Sequence, residues 1–365
     1  MRTLLVTGPG GSGRTTVAAA TALQAAREGA RTQLITADDV AELPGVTVTR
    51  LAPAEAFRDD LLALQDRARS ALDLLGAARL DADELTPLPG SDELALLRAL
   101  RDSAAGPHDL VVVDLPPAPR AVAVLALPGQ LRRYLRRLLP AERQAARALR
   151  PVLGRLAGAA MPAEWLYETA ARWESELAAT QAVIEADTTL VRLVAEPTQA
   201  ADRILRTTGT GLALHGLRTE ALIANRIWPE GSADPWLADA AAHQRKTAAA
   251  WQSAYEIPHL GRDPLPAELD VPPPGPSAPR APWPVEDRLA DDGVLVWRIP
   301  LPGAVREELT LIRRGDEMVI GAGPFRRVVP LPSAPRRCTV AGAGLVDGEL
   351  RVRFAPDPDL WPRTP

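Results

Sequence analysis

A glycine-rich stretch near the N-terminus constrains the fold more than any other feature of this 365-residue chain. It follows an apolar run, residues 3–7, and precedes an alanine-rich segment, residues 16–28, whose pattern predicts a helix. Small residues between a strand and a helix let successive backbone N–H groups surround phosphate oxygens at the helix N-terminus. The sequence therefore predicts a phosphate-binding loop with the sequence Gly8-Pro9-Gly10-Gly11-Ser12-Gly13-Arg14-Thr15.

The loop departs at one position from the pattern G-x-x-x-x-G-K-[ST], because Arg14 stands where lysine is expected. Lys246 is the single lysine among 42 basic residues, so arginine replaces lysine throughout the chain. A guanidinium is planar and bulky where an ammonium is compact. The Thr15 hydroxyl that follows can ligate Mg²⁺. We expect the loop to retain phosphate binding better than turnover, the plain alternative being a tight turn without a ligand.

Four further apolar runs have the composition of buried parallel strands: residues 32–36, 110–113, 189–194 and 221–224. The first of these runs is followed by Asp38 and Asp39, and the second by Asp114. Side chains at the carboxyl ends of parallel strands line the ligand crevice of such sheets. We predict an α/β fold with a doubly wound, mostly parallel sheet over residues 1–268.

The remainder of the chain divides into three segments by composition. Residues 129–187 read as a helical insertion, because Leu131, Tyr134, Leu135, Leu138 and Leu139 share one face of a helix. Residues 269–288 are dense in proline and predict an extended linker. Residues 289–365 alternate with a period of two, with Gly315-Asp316 and Asp347-Gly348 at expected turns, and predict a small all-β sandwich.

Composition excludes several classes of function. Cys338 is the only cysteine, so the chain offers neither a disulfide framework nor a cysteine set for zinc or arsenite. There is no secretory leader pattern and no apolar run long enough to span a membrane. The net charge of −4 gives no overall attraction to nucleic acid. We expect a cytoplasmic protein that does not bind nucleic acid and contacts membranes peripherally at most.

Several motifs, taken in order, resemble those of one family. The run GPGGSGRTT is similar to the deviant P-loop GKGGVGKTT of the ArsA and tail-anchored-protein-targeting ATPases. Stretches that resemble the later motifs of that family, including its switch I and switch II, are LITADD at residues 34–39, LPGSDEL at 88–94, DLVVVDLPP at 109–117, VAEP at 194–197 and LIANR at 222–226. The C-terminal segment resembles the small-heat-shock-protein-like domain of some ArsA homologues. The resemblance extends over the whole chain.

The resemblance implies ATP and Mg²⁺ as ligands and assigns roles by position. The loop residues Gly8, Gly10, Gly11, Ser12 and Gly13 would cradle the phosphates. Arg14 would take the lysine position, Thr15 would hold Mg²⁺, and Thr16 would touch the α-phosphate. Asp38 would orient or activate the attacking water, Asp114 would hold Mg²⁺ through a water molecule, and Asn225 would read the adenine edge. The alternatives are that the carboxylates cap helices and that Asn225 forms a turn.

Two departures from the family concern hydrolysis. Pro9 replaces a lysine that, in relatives, reaches the nucleotide of the partner subunit and helps to stabilise the transferring phosphate. The switch II continuation, residues 115–120, has lost its glycine and threonines and contains three prolines. Losing an arginine-finger-like cation costs roughly 10³ to 10⁵ in rate. We expect slow or absent hydrolysis, and whether another guanidinium, for instance that of Arg120, lies near the site is open from sequence.

Two hypotheses follow from these motifs. The first is a nucleotide-dependent switch, a homodimer or a heterodimer with a paralogue, that handles a protein client through the helical insertion or the β tail. The second is a non-catalytic, chaperone-like subunit that pairs with an active paralogue. The apolar faces of the insertion either form a client groove or pack on each other. Its arginines either meet acidic groups outside the chain or pair with acidic residues of the next helix.

Overall fold

A computed structural model of the chain describes residues 1–69, 72–73, 76–139, 163–277, 279–280 and 282–361. Its largest sheet has seven strands in the order β3-β2-β4-β1-β5-β6-β7, and every neighbouring pair is parallel. The predicted α/β fold with a parallel sheet is therefore confirmed. The strands are β1 Arg2–Thr7, β2 Thr32–Thr36, β3 Val46–Arg50, β4 Leu110–Asp114, β5 Thr189–Ala195, β6 Thr219–Ile227 and β7 Tyr255–Pro258.

Helices cover both faces of this sheet because the central strands are apolar on both sides. In β1, Leu4 and Val6 face the helix that follows the glycine loop, while Leu5 belongs to the core on the opposite face. The helices are α1 Arg14–Arg27, α2 Pro53–Arg67, α3 Ser91–Ser103, α4 Arg120–Leu138, α5 Ala163–Glu185, α6 Gln199–Leu214 and α7 Pro235–Ala250. The strand order reverses around β1, and the glycine loop lies at its carboxyl end.

The sequence patterns miss the two outer strands, β3 and β7. In β3 only Val46 and Thr49 are half-buried and the other three residues are exposed, since an edge strand has one neighbour and little apolar cover. β7 has four residues and a single buried one, Ile257. Such short, solvated strands lack the continuous apolar run that identifies β4 and β5.

Helix α4 does not begin where the helical insertion was expected to begin. It runs without interruption from Arg120 through Pro128 and Gly129 to Leu138, directly after the carboxyl end of β4. Its predicted apolar face is only partly covered, because Tyr134 and Leu138 are exposed. Residues 140–162, with Arg143, Arg147, Arg150 and Arg155 of the predicted basic block, lie outside the described residues.

Pairing with acidic residues of the next helix, one of the two predicted alternatives, is observed for Arg132, whereas Arg133 and Arg137 bind Glu317 in the C-terminal part of the chain and Arg136 donates to the Arg132 carbonyl. Arg132 donates hydrogen bonds to Glu174 of α5 at 2.9 and 3.0 Å and to Gln181 at 2.7 Å. In the part of the chain that the structure describes, no helix combines the length and the hydrophobicity needed to cross a membrane.

The C-terminal residues form two antiparallel sheets, as the alternating pattern predicts. One sheet has the order β10-β11-β12 and the other β13-β14-β9-β8. Asp347 and Gly348 both have positive φ between two directly paired strands, which identifies the hairpin turn that an Asp-Gly pair favours. The strands are β8 Val285–Arg288, β9 Val294–Pro300, β10 Leu309–Arg314, β11 Glu317–Ala322, β12 Phe325–Pro330, β13 Cys338–Val346 and β14 Glu349–Pro356, with a short helix α8 at Leu289–Asp292.

This β region packs against α6, contacts α4 through the ion pairs of Arg133 and Arg137 with Glu317, and belongs to the same apolar core as both helices. A Cβ atom on Gly211 of α6 would lie 2.6 Å from the Phe325 ring, so a glycine allows the close approach. Thr210 donates a hydrogen bond to the Pro302 carbonyl at 2.6 Å, and Arg327 donates one to the Leu214 carbonyl at 2.8 Å. The β region is therefore held on the helices by both apolar packing and specific hydrogen bonds.

The proline-rich segment has no helix or strand over residues 269–277, and a buried ion pair fixes it to the sheet; the last residues of the expected linker, Val285–Arg288, belong to strand β8. Arg192 of β5 is fully buried and donates to Glu220 of β6 at 2.6 Å. The same guanidinium donates to Thr21 of α1 at 3.0 Å and to the Pro273 carbonyl at 3.3 Å. Glu220 in turn accepts from the Gly275 amide at 2.9 Å. The segment between the two parts of the chain is thus a strap on the protein surface.

The buried pair gives a prediction about stability. Replacing Arg192 by methionine keeps most of the side-chain volume but leaves the Glu220 carboxylate buried without its cation. The free energy of unfolding should fall by about 3 to 5 kcal/mol. Denaturant titration measures the change. The matched control is Arg31→Met, since the Arg31–Asp109 pair is more than half exposed on both sides and should matter little. Equal losses in the two variants would contradict this account of the strap.

Candidate functional site

The glycine loop turns tightly between β1 and α1, and specific glycines make the turn possible. Gly11 and Gly13 have φ values of 74° and 85°, in the left-handed region that other residues rarely adopt. A Cβ atom on Gly8 would lie 1.8 Å from the Val194 carbonyl oxygen of β5. Gly10 and Gly11 are exposed, and a Cβ on either would meet no atom within 4 Å. The loop thus rests on β5 and leaves its outer edge open.

Neighbouring elements bind the carbonyl oxygens of the loop. The Gly8 carbonyl accepts from the Ala118 amide at 2.9 Å, beyond the end of β4. At the end of β6, Arg226 donates to the Gly11 carbonyl at 3.0 Å and Asn225 donates to the Ser12 carbonyl at 2.8 Å. Held in this way, the loop is a preformed cradle at the N-terminus of α1, where backbone N–H groups and the helix dipole attract an anion.

Two carboxylates converge on one hydroxyl at the first turn of α1. The Thr15 hydroxyl oxygen lies 2.7 Å from an Asp38 oxygen and 2.7 Å from an Asp114 oxygen. A hydroxyl has a single proton, so it can donate to only one of them. Thr36, at the end of β2, donates to the same Asp114 oxygen at 3.1 Å and accepts from the Asp38 amide at 3.1 Å. The sequence-predicted residues Thr15, Asp38 and Asp114 are therefore adjacent in space.

The Asp114 carboxyl group is buried. Burial raises the pKa of Asp114 above its ordinary value, and the Thr15 hydroxyl and the Arg14 charge only partly offset that effect. Its Oδ1 is buried and has no hydrogen-bond partner among the described residues. Hydroxyl and carboxylate oxygens are ligands that Mg²⁺ prefers. A cation, or its bound water, would bind Asp114 Oδ1. It would also offset the repulsion between the two carboxylates that approach the Thr15 hydroxyl, so these residues fit Mg²⁺.

Arg14 binds the segment after β4 and not the open side of the loop. Its side chain is 14% exposed, with Nη1 3.8 Å from Asp114 Oδ1, and it donates a hydrogen bond to the Leu115 carbonyl. Pro9 is buried in the loop and carries no cation. Both positions at which a lysine would be expected are therefore without a free positive charge.

The remaining sequence-predicted residues surround the same loop. Thr16 lies in the first turn of α1 and Ser12 is buried, with a hydroxyl that has no partner among the described residues. The side-chain amide of Asn225 is engaged at both ends, by the Ser12 carbonyl and by the Arg226 amide at 3.0 Å. This geometry gives Asn225 a part in supporting the loop, and adenine recognition stays a prediction.

Sequence reasoning assigned no role to three residues that belong to the site: Thr36, Arg226 and Glu93. Thr36 is the last residue of β2, and only its place at a strand end signals it. Arg226 directly follows Asn225 and has a positive φ of 59°, which turns its side chain onto the loop. Glu93 of α3 binds Arg120, the first residue of α4, through the guanidinium Nε at 2.8 Å and through Nη2.

A pair of family models covers most of the chain. The model of the anion-transporting ATPase, ArsA, matches residues 1–47 and 45–268. The model of the HSP20-like domain found in ArsA matches residues 292–354. ArsA-family ATPases use a nucleotide with Mg²⁺.

Three relatives match over nearly the whole of both chains. An uncharacterized protein of Streptomyces coelicolor is 63% identical over 388 residues, with 100% of each chain covered. A Mycobacterium tuberculosis protein is 29% identical, covering 99% of this chain and 97% of its own. A protein of Aquifex aeolicus named as an arsenical pump-driving ATPase is 24% identical, covering 96% of this chain and 99% of its own.

The close contact at Gly8 gives a prediction with an internal control. Gly8→Ala places a methyl group against the backbone of Val194 and should lower the free energy of unfolding by about 1 to 3 kcal/mol. Gly10→Ala meets open space and should change it by less than about 0.5 kcal/mol. Chemical denaturation of both variants without ligand tests the difference. Indistinguishable stabilities would show that the loop does not rest on β5 as described.

Proposed function

Because this chain belongs to the ArsA family of anion-transporting ATPases, we propose that it binds ATP with Mg²⁺ at the Gly8–Thr15 loop and acts as a nucleotide-dependent switch with slow hydrolysis. The observation that carries the proposal is the sharing of the Thr15 hydroxyl by Asp38 and Asp114 at 2.7 Å each. Without a cation, two carboxylates share a hydroxyl that can donate only one hydrogen bond. A bound cation would compensate the carboxylate that receives none.

Each residue of the site has a task in the proposed reaction. The loop amides would hold the phosphates, and Thr15 and Asp114 would hold Mg²⁺, with Asp114 expected to act through a water molecule. The metal, when bound, supplies positive charge that offsets the charge of the phosphates. Asp38 is exposed at the end of β2, where its carboxylate can accept a hydrogen bond from the attacking water and orient it.

The slow turnover follows from where the cations lie. Phosphoryl transfer needs positive charge at the γ-phosphate. Arg14 donates to the Leu115 carbonyl and would have to give up that bond to reach a phosphate, and Pro9 cannot contribute a charge. The binding elements of the loop are intact, so we propose that binding is retained and that hydrolysis is slow.

Helix α4 connects the site to the β region and makes it suitable for transmission of the switch. It starts at Arg120, immediately after the segment that Arg14 contacts. Near its other end, about 20 to 26 Å away at 1.5 Å per residue, Arg133 and Arg137 both bind Glu317 of β11. A shift of the segment after β4 when a nucleotide binds would move α4 and hence the Glu317 contact.

A second candidate function is a non-catalytic subunit that binds nucleotide and pairs with an active paralogue. The engagement of Arg14 and the burial of Pro9 favour it, because neither residue is placed to act on a γ-phosphate. We propose a dimer in either case, by resemblance to the family. The exposed side chains of Tyr134, Leu138 and Trp173 offer apolar surface to a protein client.

The proposed function predicts metal-dependent binding of ATP. The purified protein should bind ATP more tightly with Mg²⁺ than with EDTA, as measured by calorimetry. Thr15→Val keeps the side-chain shape but removes the hydroxyl, so the Mg²⁺-dependent gain should fall at least about tenfold, the equivalent of one charge-assisted contact. Thr207→Val is the control, since the Thr207 hydroxyl binds only its own helix, at the Arg203 carbonyl.

Hydrolysis assays separate the two candidate functions. Slow phosphate release that Asp38→Ala abolishes supports the switch. Binding without release, even after Arg14→Lys, supports the non-catalytic subunit. Absence of ATP binding in the unmodified protein would contradict both candidate functions.

A further prediction concerns the transmission of nucleotide binding through α4 to the β region. Addition of ATP and Mg²⁺ should change backbone hydrogen exchange in β10–β12, measured by mass spectrometry. Glu317→Ala removes the carboxylate that Arg133 and Arg137 bind. It should reduce the nucleotide-induced change in hydrogen exchange at least about twofold, with nucleotide affinity retained. Glu307→Ala alters an exposed carboxylate of the same region and should leave the change intact. An unaltered response in Glu317→Ala would argue against transmission through this contact.

A further inference from the structure

We infer that Arg120 is the cation that reaches the γ-phosphate of bound ATP, and that Glu93 binds the Arg120 guanidinium when no nucleotide is bound. The inference rests on the proposed binding of ATP at the Gly8–Thr15 loop, and it assigns a catalytic residue within the same chain. It is carried by a cavity, by the charges that line that cavity and by the bonding of two guanidinium groups.

A cavity of about 280 Å³ adjoins the loop on the side of Asp38 and Asp114. Arg120 lines it together with Arg14, so the first residue of α4 faces the space that is next to the proposed Mg²⁺ ligands. The lining residues that carry charge are Arg14, Asp38, Asp92, Glu93, Asp114 and Arg120. Four carboxylates against two guanidinium groups favour a metal ion but repel a triphosphate. An incoming γ-phosphate therefore needs a mobile cation from this wall.

The two guanidinium groups differ in their freedom to move. Arg14 is 14% exposed and is bound to the Leu115 carbonyl and beside Asp114. Arg120 is 61% exposed and binds one oxygen of Glu93. Arginine can bind phosphate oxygens through two parallel N–H groups, in the same geometry as it binds a carboxylate. Arg120 can thus exchange Glu93 for a phosphate by rotation of its side chain.

Glu93 has the properties of a competing ligand. Its side chain is 14% exposed, and its second carboxylate oxygen, Oε2, has no partner among the described residues. Although burial of the Glu93 carboxyl group opposes its ionisation, the hydrogen bond from Arg120 lowers its pKa below the ordinary value. The carboxylate is therefore charged when it holds Arg120, and releasing Arg120 leaves that charge partly buried. This cost keeps the guanidinium on Glu93 until a more highly charged group arrives, and it keeps turnover slow although the chain carries the cation.

The chemical step places Arg120 where negative charge develops. A lone pair of the water oxygen forms a bond to the γ-phosphorus, and the bond between that phosphorus and the bridging oxygen breaks. The electron pair of the broken bond stays on the β-phosphate of ADP. The water proton passes through Asp38 to solvent, so ATP and water give ADP, phosphate and one proton. Arg120 donates hydrogen bonds to the γ-phosphate oxygens during this transfer.

The test compares Arg120→Ala with Arg98→Ala in the full chain. Arg98 is half-buried and binds the Asp60 carboxylate, but it does not line the cavity. Arg120→Ala should slow ATP turnover roughly 10³-fold and reduce the preference for ATP over ADP about tenfold or more. It should also weaken binding of ADP with aluminium fluoride, which imitates the transferring phosphate. Affinity for ADP and both properties of Arg98→Ala should be unchanged.

Glu93→Gln provides the opposite change and guards against a merely structural effect. It weakens the hold on Arg120 without removing the guanidinium, so the preference for ATP over ADP should rise severalfold. Thermal unfolding and circular dichroism identify variants that fail to fold, and Arg120→Gln replaces Arg120→Ala in that case. If the parent protein binds ATP but neither variant at position 120 alters the ATP to ADP ratio, the inference is wrong while the proposed function stands. If the parent binds no ATP, the proposed function itself fails.

Discussion

The contact between the glycine loop and the strands around it is the constraint on which the rest of the site depends. Gly8 lies so close to the backbone of β5 that no side chain fits between them. Bonds from beyond β4 and from the end of β6 then fix three loop carbonyls. A backbone held at three points has lost its conformational freedom before a ligand arrives, so binding need not supply that entropy. Strand β5 is thus part of the candidate site, because it fixes the position of the loop.

The sequence predicts the centre of the molecule well, and the physical reason is the apolar run. β2 and β4 are buried on both faces and are bounded by the carboxylates that the site uses, so composition marks both the strand and the residue after it. Thr15, Asp38 and Asp114 could be brought together from sequence because parallel strands end at the same edge. Only the structure shows that the two carboxylates both lie 2.7 Å from the Thr15 hydroxyl, which has a single proton to donate.

Other features could not be predicted, because they depend on contacts between segments distant in the chain. The edge strands β3 and β13 are largely exposed and interrupted by small or polar residues, so no continuous apolar run marks them. Glu93 and Arg120 are 27 residues apart and meet only through the packing of α3 beside α4. Asn225 illustrates a different limit, since its position was predicted but its bonding partner, the Ser12 carbonyl, gives it a supporting role in the loop.

The shared apolar core of α6 and the β region limits how independently the two parts of the chain can change in evolution. Two units joined by a free tether can each be lost, exchanged or duplicated without harm to the other. Here Phe325 occupies the space above Gly211, and the strap is fixed through Arg192 and Glu220. Removing the β region would expose apolar side chains of α6 to water and would deprive that helix of its cover. The two parts therefore form one cooperative folding unit, and substitutions at their interface must be matched across it for the chain to remain soluble and folded.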